Sequence, residues 1–190
     1  GWETTCSSRE APVTYDKRTW ENGDVFNDEA VNDLEDRIEE GIGEAGGGTP
    51  AARVYNSAAI SIPDNTNTAL TFNSERYDND SIHSTSSNTS RLTATTAGVY
   101  QITGHVGFQA GATGRRQINL RVNGSTYIAI QDLPGTVPSS EVYLSVSADY
   151  KLDAGDYVEL VAYQNDGSAR NVLASGNYSP EFAMHRVSDG

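Results

Sequence analysis

Gly98-Val99-Tyr100-Gln101-Ile102-Thr103-Gly104-His105-Val106-Gly107-Phe108 is the cleanest alternating stretch of the 190-residue chain, and its reading decides the fold. Tyr100, Ile102, Val106 and Phe108 share one parity. An extended chain sends alternate side chains to opposite faces, so this parity defines a face to be buried against a second sheet. Gln101, Thr103 and His105 take the other face. Just upstream, Thr96-Ala97-Gly98 reads as a tight turn from Leu92-Thr93-Ala94-Thr95, which predicts a hairpin as the local unit.

Working outward, strand signals recur at short intervals from Arg53 to the C-terminus, the pattern of an all-β sandwich. Arg53-Val54-Tyr55-Asn56, Ala58 to Ile62 and Thr68 to Phe72 come first, and the polar run from Tyr77 to Ser90 reads as a surface loop. Beyond the central stretch, Ile118, Leu120 and Val122 lead into Asn123-Gly124, the strongest hairpin dipeptide in the chain, and Ile128 with Ile130 returns it. Leu133 to Pro138 is read as a long loop. Val142, Leu144, Val146, Ala148 and Tyr150 alternate. Asp153-Ala154-Gly155-Asp156 then turns into Tyr157-Val158-Glu159-Leu160-Val161-Ala162-Tyr163, and Phe182 with Met184 marks the closing strand.

The strand from Tyr157 to Tyr163 has two apolar faces: Val158, Leu160 and Ala162 on one, Tyr157, Val161 and Tyr163 on the other. In a two-sheet sandwich the second face is expected to need a neighbour outside the domain, most economically a copy of the same chain.

Asp and Glu number 26 against 13 Lys and Arg, a net charge of −13 that argues against nucleic acid or an anionic membrane as partner. Residues 1–50 hold 13 of the acids and 4 of the bases, so the acidity belongs mostly to the N-terminal arm. A single cysteine, Cys6, rules out an internal disulfide. With no apolar run of about 18 residues and a polar start, neither a membrane span nor a signal peptide is expected, and the chain reads as soluble.

The organisation predicted is an arm and helix over 1–45, a Gly-rich linker over 46–50 and a sheet domain over 51–190. Asn27 suits a helix N-cap, Asp28 and Glu29 complement the dipole, and Phe26 with Val31 fits a hydrophobic staple. Val31, Leu34, Ile38 and Ile42 form one narrow apolar stripe that Gly41 and Gly43 end. A helix so short is marginal alone and must dock, on copies of itself, on another protein or on its own sheet domain.

The segment Thr19-Trp20-Glu21-Asn22-Gly23-Asp24-Val25-Phe26-Asn27-Asp28-Glu29-Ala30-Val31-Asn32-Asp33-Leu34-Glu35 resembles one common near the N-termini of bacteriophage structural proteins, especially fibre and appendage proteins. Trp20, Gly23, Asn32, Leu34 and Glu35 carry the match. The resemblance implies virion attachment through residues 1–45, with Trp20, Phe26, Val31, Leu34 and Ile38 at the contact.

A second resemblance covers residues 52–187. Ala52 to Asn56, Leu92 to Val106 and Leu152-Asp153-Ala154-Gly155-Asp156-Tyr157-Val158-Glu159-Leu160 are similar, in order, to motifs of the complement C-one-q and tumour necrosis factor superfamily. It departs at Thr96, where the family carries proline, and in Ser179 to Met184. The resemblance implies a jelly-roll head, a homotrimer packed through Tyr157, Val161 and Tyr163, and a binding rather than catalytic role.

Site chemistry is sparse. His83, His105 and His185 lie on separate segments without ligand spacing, so no zinc site is expected. Asp78 and Asp80 offer oxygens of the kind calcium takes, though without EF-hand spacing. Arg115 and Arg116 read as a solvated rim. No nucleophile or phosphate-loop motif is present, and no enzyme is expected. The predicted function is a bacteriophage virion surface protein, a capsid decoration or head fibre assembled in the host cytoplasm. The alternatives are a tail fibre or receptor-binding tip touching host glycans through the Tyr77–Ser90 and 131–140 loops, and a secreted calcium-dependent binding module.

Overall fold

A computed structural model describes residues 48–135 and 139–190. The helix expected after Asn27 and the attachment residues Trp20, Phe26, Val31, Leu34 and Ile38 lie outside the described residues. Those described are all β, with no helix among them long and apolar enough to cross a membrane.

The strands are β1 Ala51–Tyr55, β2 Ile60–Ile62, β3 Thr68–Ala69, β4 Ser74–Asp78, β5 Arg91–Thr93, β6 Gly98–Phe108, β7 Arg115–Val122, β8 Thr126–Pro134, β9 Val142–Leu152, β10 Tyr157–Gln164, β11 Arg170–Val172 and β12 Glu181–Ser188. Every pairing is antiparallel. In the first sheet β6 is central: β9 runs along one edge of it from Gly98 to Phe108, and β12 with β11 takes the other, followed by β1 and β4. In the second sheet β10 lies between β7 and the short pair β3 and β5, with β8 beyond β7.

The alternation read in β6 holds: Tyr100, Ile102, Val106 and Phe108 are buried, while Gln101 and His105 are exposed. They meet Phe182 and Met184 of β12, Leu144 and Val146 of β9, and Ile118, Leu120, Val158 and Leu160 from the facing sheet. Each such side chain contributes about 1.5–3 kcal/mol by leaving water. Gly104 sets how closely the sheets approach, because a Cβ there would stand 2.5 Å from Leu160 Cδ1. Phe72 and Phe182 add a ring pair with centroids 5.6 Å apart. Tyr100 sits wholly inside, and its hydroxyl donates to Thr96 O at 2.6 Å.

Two local expectations are corrected. The hairpin between Leu92–Thr95 and the central strand does not form: β5 pairs with β10 in the second sheet, and Ala94 exchanges backbone bonds with Gly155 and Asp156. The segment therefore crosses from one sheet to the other. The Tyr77–Ser90 loop begins inside a strand, β4, whose charged residues masked the signal. Asn123-Gly124 does turn β7 into β8, with positive φ at both residues (50° and 69°) as a primed hairpin turn requires. The ladder then carries a bulge opposite Leu120 and Arg121. Ile128 and Ala129 both pack toward the core, and Ile130 beyond them is thrown outward and is 61% exposed.

Candidate functional site

Two outward sheet faces and one loop end hold the polar chemistry. On the second sheet, cross-strand pairs set the neighbours. Glu159 stands beside Arg121, Val161 lies between Ala69 and Asn119, and Tyr163 stands beside Gln117. Val161 is fully buried within one chain. Tyr157 is capped by the Arg91 guanidinium at 3.9 Å, Glu159 accepts from Arg121 at 2.8 Å and from Ser90 at 3.1 Å, and the Tyr163 hydroxyl reaches Asn65. Within a single chain, arginine and short-strand neighbours thus cover Val161 fully and Tyr157 and Tyr163 in part.

The exposed apolar surface of this sheet lies one strand over. Tyr127 and Ile130 of β8 project beside Asn119 and Gln117 of β7, and with Asn67 and Ala129 they line a groove of about 470 Å³. Gln117 Nε2 donates to Asn119 Oδ1 at 3.0 Å, while Asn119 Nδ2, in a residue only 2% exposed, has no acceptor.

On the first sheet, Tyr143 of β9 lies across Gly107 of β6, where a Cβ would stand 2.5 Å from its ring. Tyr178 meets Tyr143 edge-on, with centroids 5.6 Å apart. Both rings are about half exposed and, with His105 and Ser145, border a hollow of about 360 Å³. Hydrogen bonding to Glu141, with some burial, pushes the Tyr143 phenol up to about 12. Farther along the same face, Ser147, Thr103 and Ala183 stand side by side, a small and uncharged row.

His105 Nδ1 lies 2.8 Å from Ser145 Oγ. A working hydroxyl nucleophile also needs an orienting carboxylate and free donors for an oxyanion. Glu181, paired opposite His105, is instead held by Arg53 and Arg76 at 2.8 Å each, and the Ser145 N–H donates to Gln131. The contact reads as cross-strand pairing.

Asp78 spends its carboxylate on its own loop, accepting from the N–H groups of Asp80, Ile82 and His83. Asp80 accepts from Thr95 Oγ1. The two carboxylates considered for calcium therefore serve the loop, and among the described residues no three His, Cys, Asp or Glu side chains converge as a metal site. His83 is buried between Glu75, 2.9 Å from Nδ1, and Thr89 O.

Arg116, read as part of a solvated rim, is completely buried. It lies 3.5 Å from Asp166, whose carboxylate also holds Arg170 and the Thr113 hydroxyl. Gly111 roofs this cluster, since a Cβ there would overlap the Arg116 guanidinium. Asp166 is held below the usual carboxylate range, first by the Thr113 hydroxyl and then, against the opposing cost of burial, by Arg170 and Arg116.

Tyr127, Tyr143, Tyr178 and Asn119 were not singled out by sequence. Tyr143 and Tyr127 were legible as outward parity next to read strands, whereas Tyr178 lies in a loop and carries no such signal.

No protein-family model matches the chain. Over 88 residues, 44% of this chain, it is 34% identical to an uncharacterized protein of Acanthamoeba polyphaga mimivirus, and the match spans 37% of that protein's length. Among solved structures, the Eiger tumour necrosis factor of S. frugiperda superposes with a TM-score of 0.54 at 15% identity, covering 75% of this chain and 94% of that one. With its two antiparallel sheets and this strand order, the region from Gly48 onward is a tumour necrosis factor-like jelly roll.

Proposed function

We propose that this chain is a virion surface protein, a capsid decoration or head fibre, whose jelly-roll head self-associates as a homotrimer and is moored through residues 1–45. The similarity to a virus-encoded protein carries the viral part of this reading. The phage assignment leans on the Thr19–Glu35 segment. A jelly roll of this kind is most often a binding or structural module, in keeping with a non-catalytic role.

The trimer contact is assigned to the first sheet rather than to Tyr157, Val161 and Tyr163. Half-exposed Tyr143 and Tyr178 stand at one end of the uncharged Ser147, Thr103 and Ala183 row, and the charged Glu181 nearby is already neutralised by two arginines. Such a face loses little by desolvation when a copy covers it. Both sheets carry paired charges, Arg53 and Arg76 with Glu181 on the first and Arg121–Glu159 and Arg115–Asp132 on the second, so the two exposed rings and the uncharged row decide the assignment.

Light scattering on the full chain is expected to give a trimer, and Tyr143→Asp a monomer, because association would bury an unpaired charge. A monomeric parent, or a Tyr143→Asp trimer, refutes the contact. Labelling of intact particles with an antibody to the head tests the location, and deleting residues 1–45 is expected to abolish incorporation while leaving the head folded. A few copies at the tail tip would favour the adhesive alternative.

A further inference from the structure

The groove on the second sheet is uncharged in a chain of net charge −13. Its polar lining is three carboxamides, Asn67, Gln117 and Asn119, and its apolar lining includes the exposed ring of Tyr127 and the side chain of Ile130. The charges that bracket it are already paired, Arg121 with Glu159 at 2.8 Å and Arg115 with Asp132. An ionic ligand therefore finds no free counter-charge, and a second copy of the chain would have to desolvate both pairs.

Carboxamides present donor and acceptor side by side, which matches the hydroxyls of a sugar, each both donor and acceptor. Tyrosine supplies a rigid apolar plate for the C–H-rich face of a pyranose, held by dispersion. Arg121 lies 6.0 Å from the Tyr127 ring centroid. A volume of about 470 Å³ falls in the range of small-ligand sites and accommodates one or two sugar rings. The unmet Asn119 Nδ2 is a second, independent sign. A buried donor without an acceptor is costly, and a ligand hydroxyl that reaches the Asn119 amide supplies the acceptor.

From these observations we infer that the outer face of the second sheet binds an uncharged mono- or disaccharide, with Tyr127 as the stacking plate and Gln117 and Asn119 as the hydroxyl-reading amides. This gives the adhesive alternative a place on a sheet face instead of on the loops. It rests on a single chain and needs neither the trimer nor the virion, and the proposed trimer face lies on the other sheet.

The test uses the full chain with lactose, cellobiose, chitobiose, maltose and mannobiose, followed by saturation-transfer NMR and titration calorimetry. At least one is expected to bind with a millimolar Kd and to receive saturation at its ring C–H protons. Tyr127→Ala and the half-buried Gln117→Ala are each expected to weaken binding about tenfold, while Tyr178→Ala on the opposite sheet leaves it unchanged. Far-ultraviolet circular dichroism of each variant must match the parent. Failure of all five sugars at millimolar concentration, or undiminished binding by folded Tyr127→Ala, overturns the inference. So does a change in oligomeric size on Tyr127→Ala, which would assign the groove to a second copy. Trimer loss in Tyr143→Asp with sugar binding intact separates this proposal from the trimer reading.

Discussion

Replacing Asp166 by asparagine keeps the shape of a buried carboxylate and removes its charge. In the folded chain Asp166 is 1% exposed and lies 3.5 Å from Arg116, which is completely buried. Arg116 Nη1 keeps its bonds to the carbonyls of Thr113 and Arg115, but Nε and Nη2 have no hydrogen-bond acceptor among the described residues, where Asp166 is the only carboxylate within 4 Å of the guanidinium. Arg170, 27% exposed, can turn to water, whereas Arg116 cannot. Removing one partner of a buried pair costs about 3–5 kcal/mol, because the other charge is stranded. For a domain of this size that lowers Tm by roughly 10 °C. The cost should also depend on pH in one direction. Since the folded-state pKa lies below the ordinary 3.8, the carboxylate's contribution is complete above that value and is lost as pH falls through the depressed one. Urea unfolding of parent and Asp166→Asn is therefore expected to show a gap that is full at neutral pH and closes in acid, with Asp153→Asn, on an exposed turn, as the near-neutral control. A gap under about 1 kcal/mol at neutral pH, or one that does not narrow in acid, would refute the buried-charge reasoning and make this an ordinary surface bridge.

Gly104→Val is expected to destabilise the head by about 1–3 kcal/mol through overlap with Leu160, as read by denaturant midpoint, and less in a Leu160→Ala background. Equal costs in both backgrounds would mean that the sheets do not meet there. In spectrophotometric titration two tyrosines are expected to ionise late, the buried Tyr100, raised by desolvation, and Tyr143, near 12; Glu141→Gln is expected to return only the Tyr143 share toward the ordinary phenol range, and a late phase undiminished in amplitude would place it elsewhere.

Much of the fold was legible because period-two alternation is a local property. In β6, β9 and β10 each inward residue announces itself by its neighbours two positions away, and Asn123-Gly124 specifies its turn through backbone conformations that few residue pairs adopt. Strand partners are a different matter. Leu92 to Thr95 reads as one arm of a hairpin because proximity in sequence favours it, yet the backbone groups of Ala94 bond to Gly155 and Asp156. Nothing in residues 92–98 encodes that choice.

The sites follow the same division. Composition and alternation by themselves determined an acidic chain with an all-β sandwich, an apolar core face and two tyrosines on the outward side of the Tyr157–Tyr163 strand. Only the tertiary structure decided what covers each outward face. A one-residue bulge put Ile130 on the surface beside Asn119, while Arg91 and Arg121, distant in sequence, closed over Tyr157 and Glu159. Arg116 likewise went from an expected rim to the interior because Asp166, fifty residues away, meets it there. Parity tells which way a side chain points from its strand, but the cover above it comes from residues far along the chain.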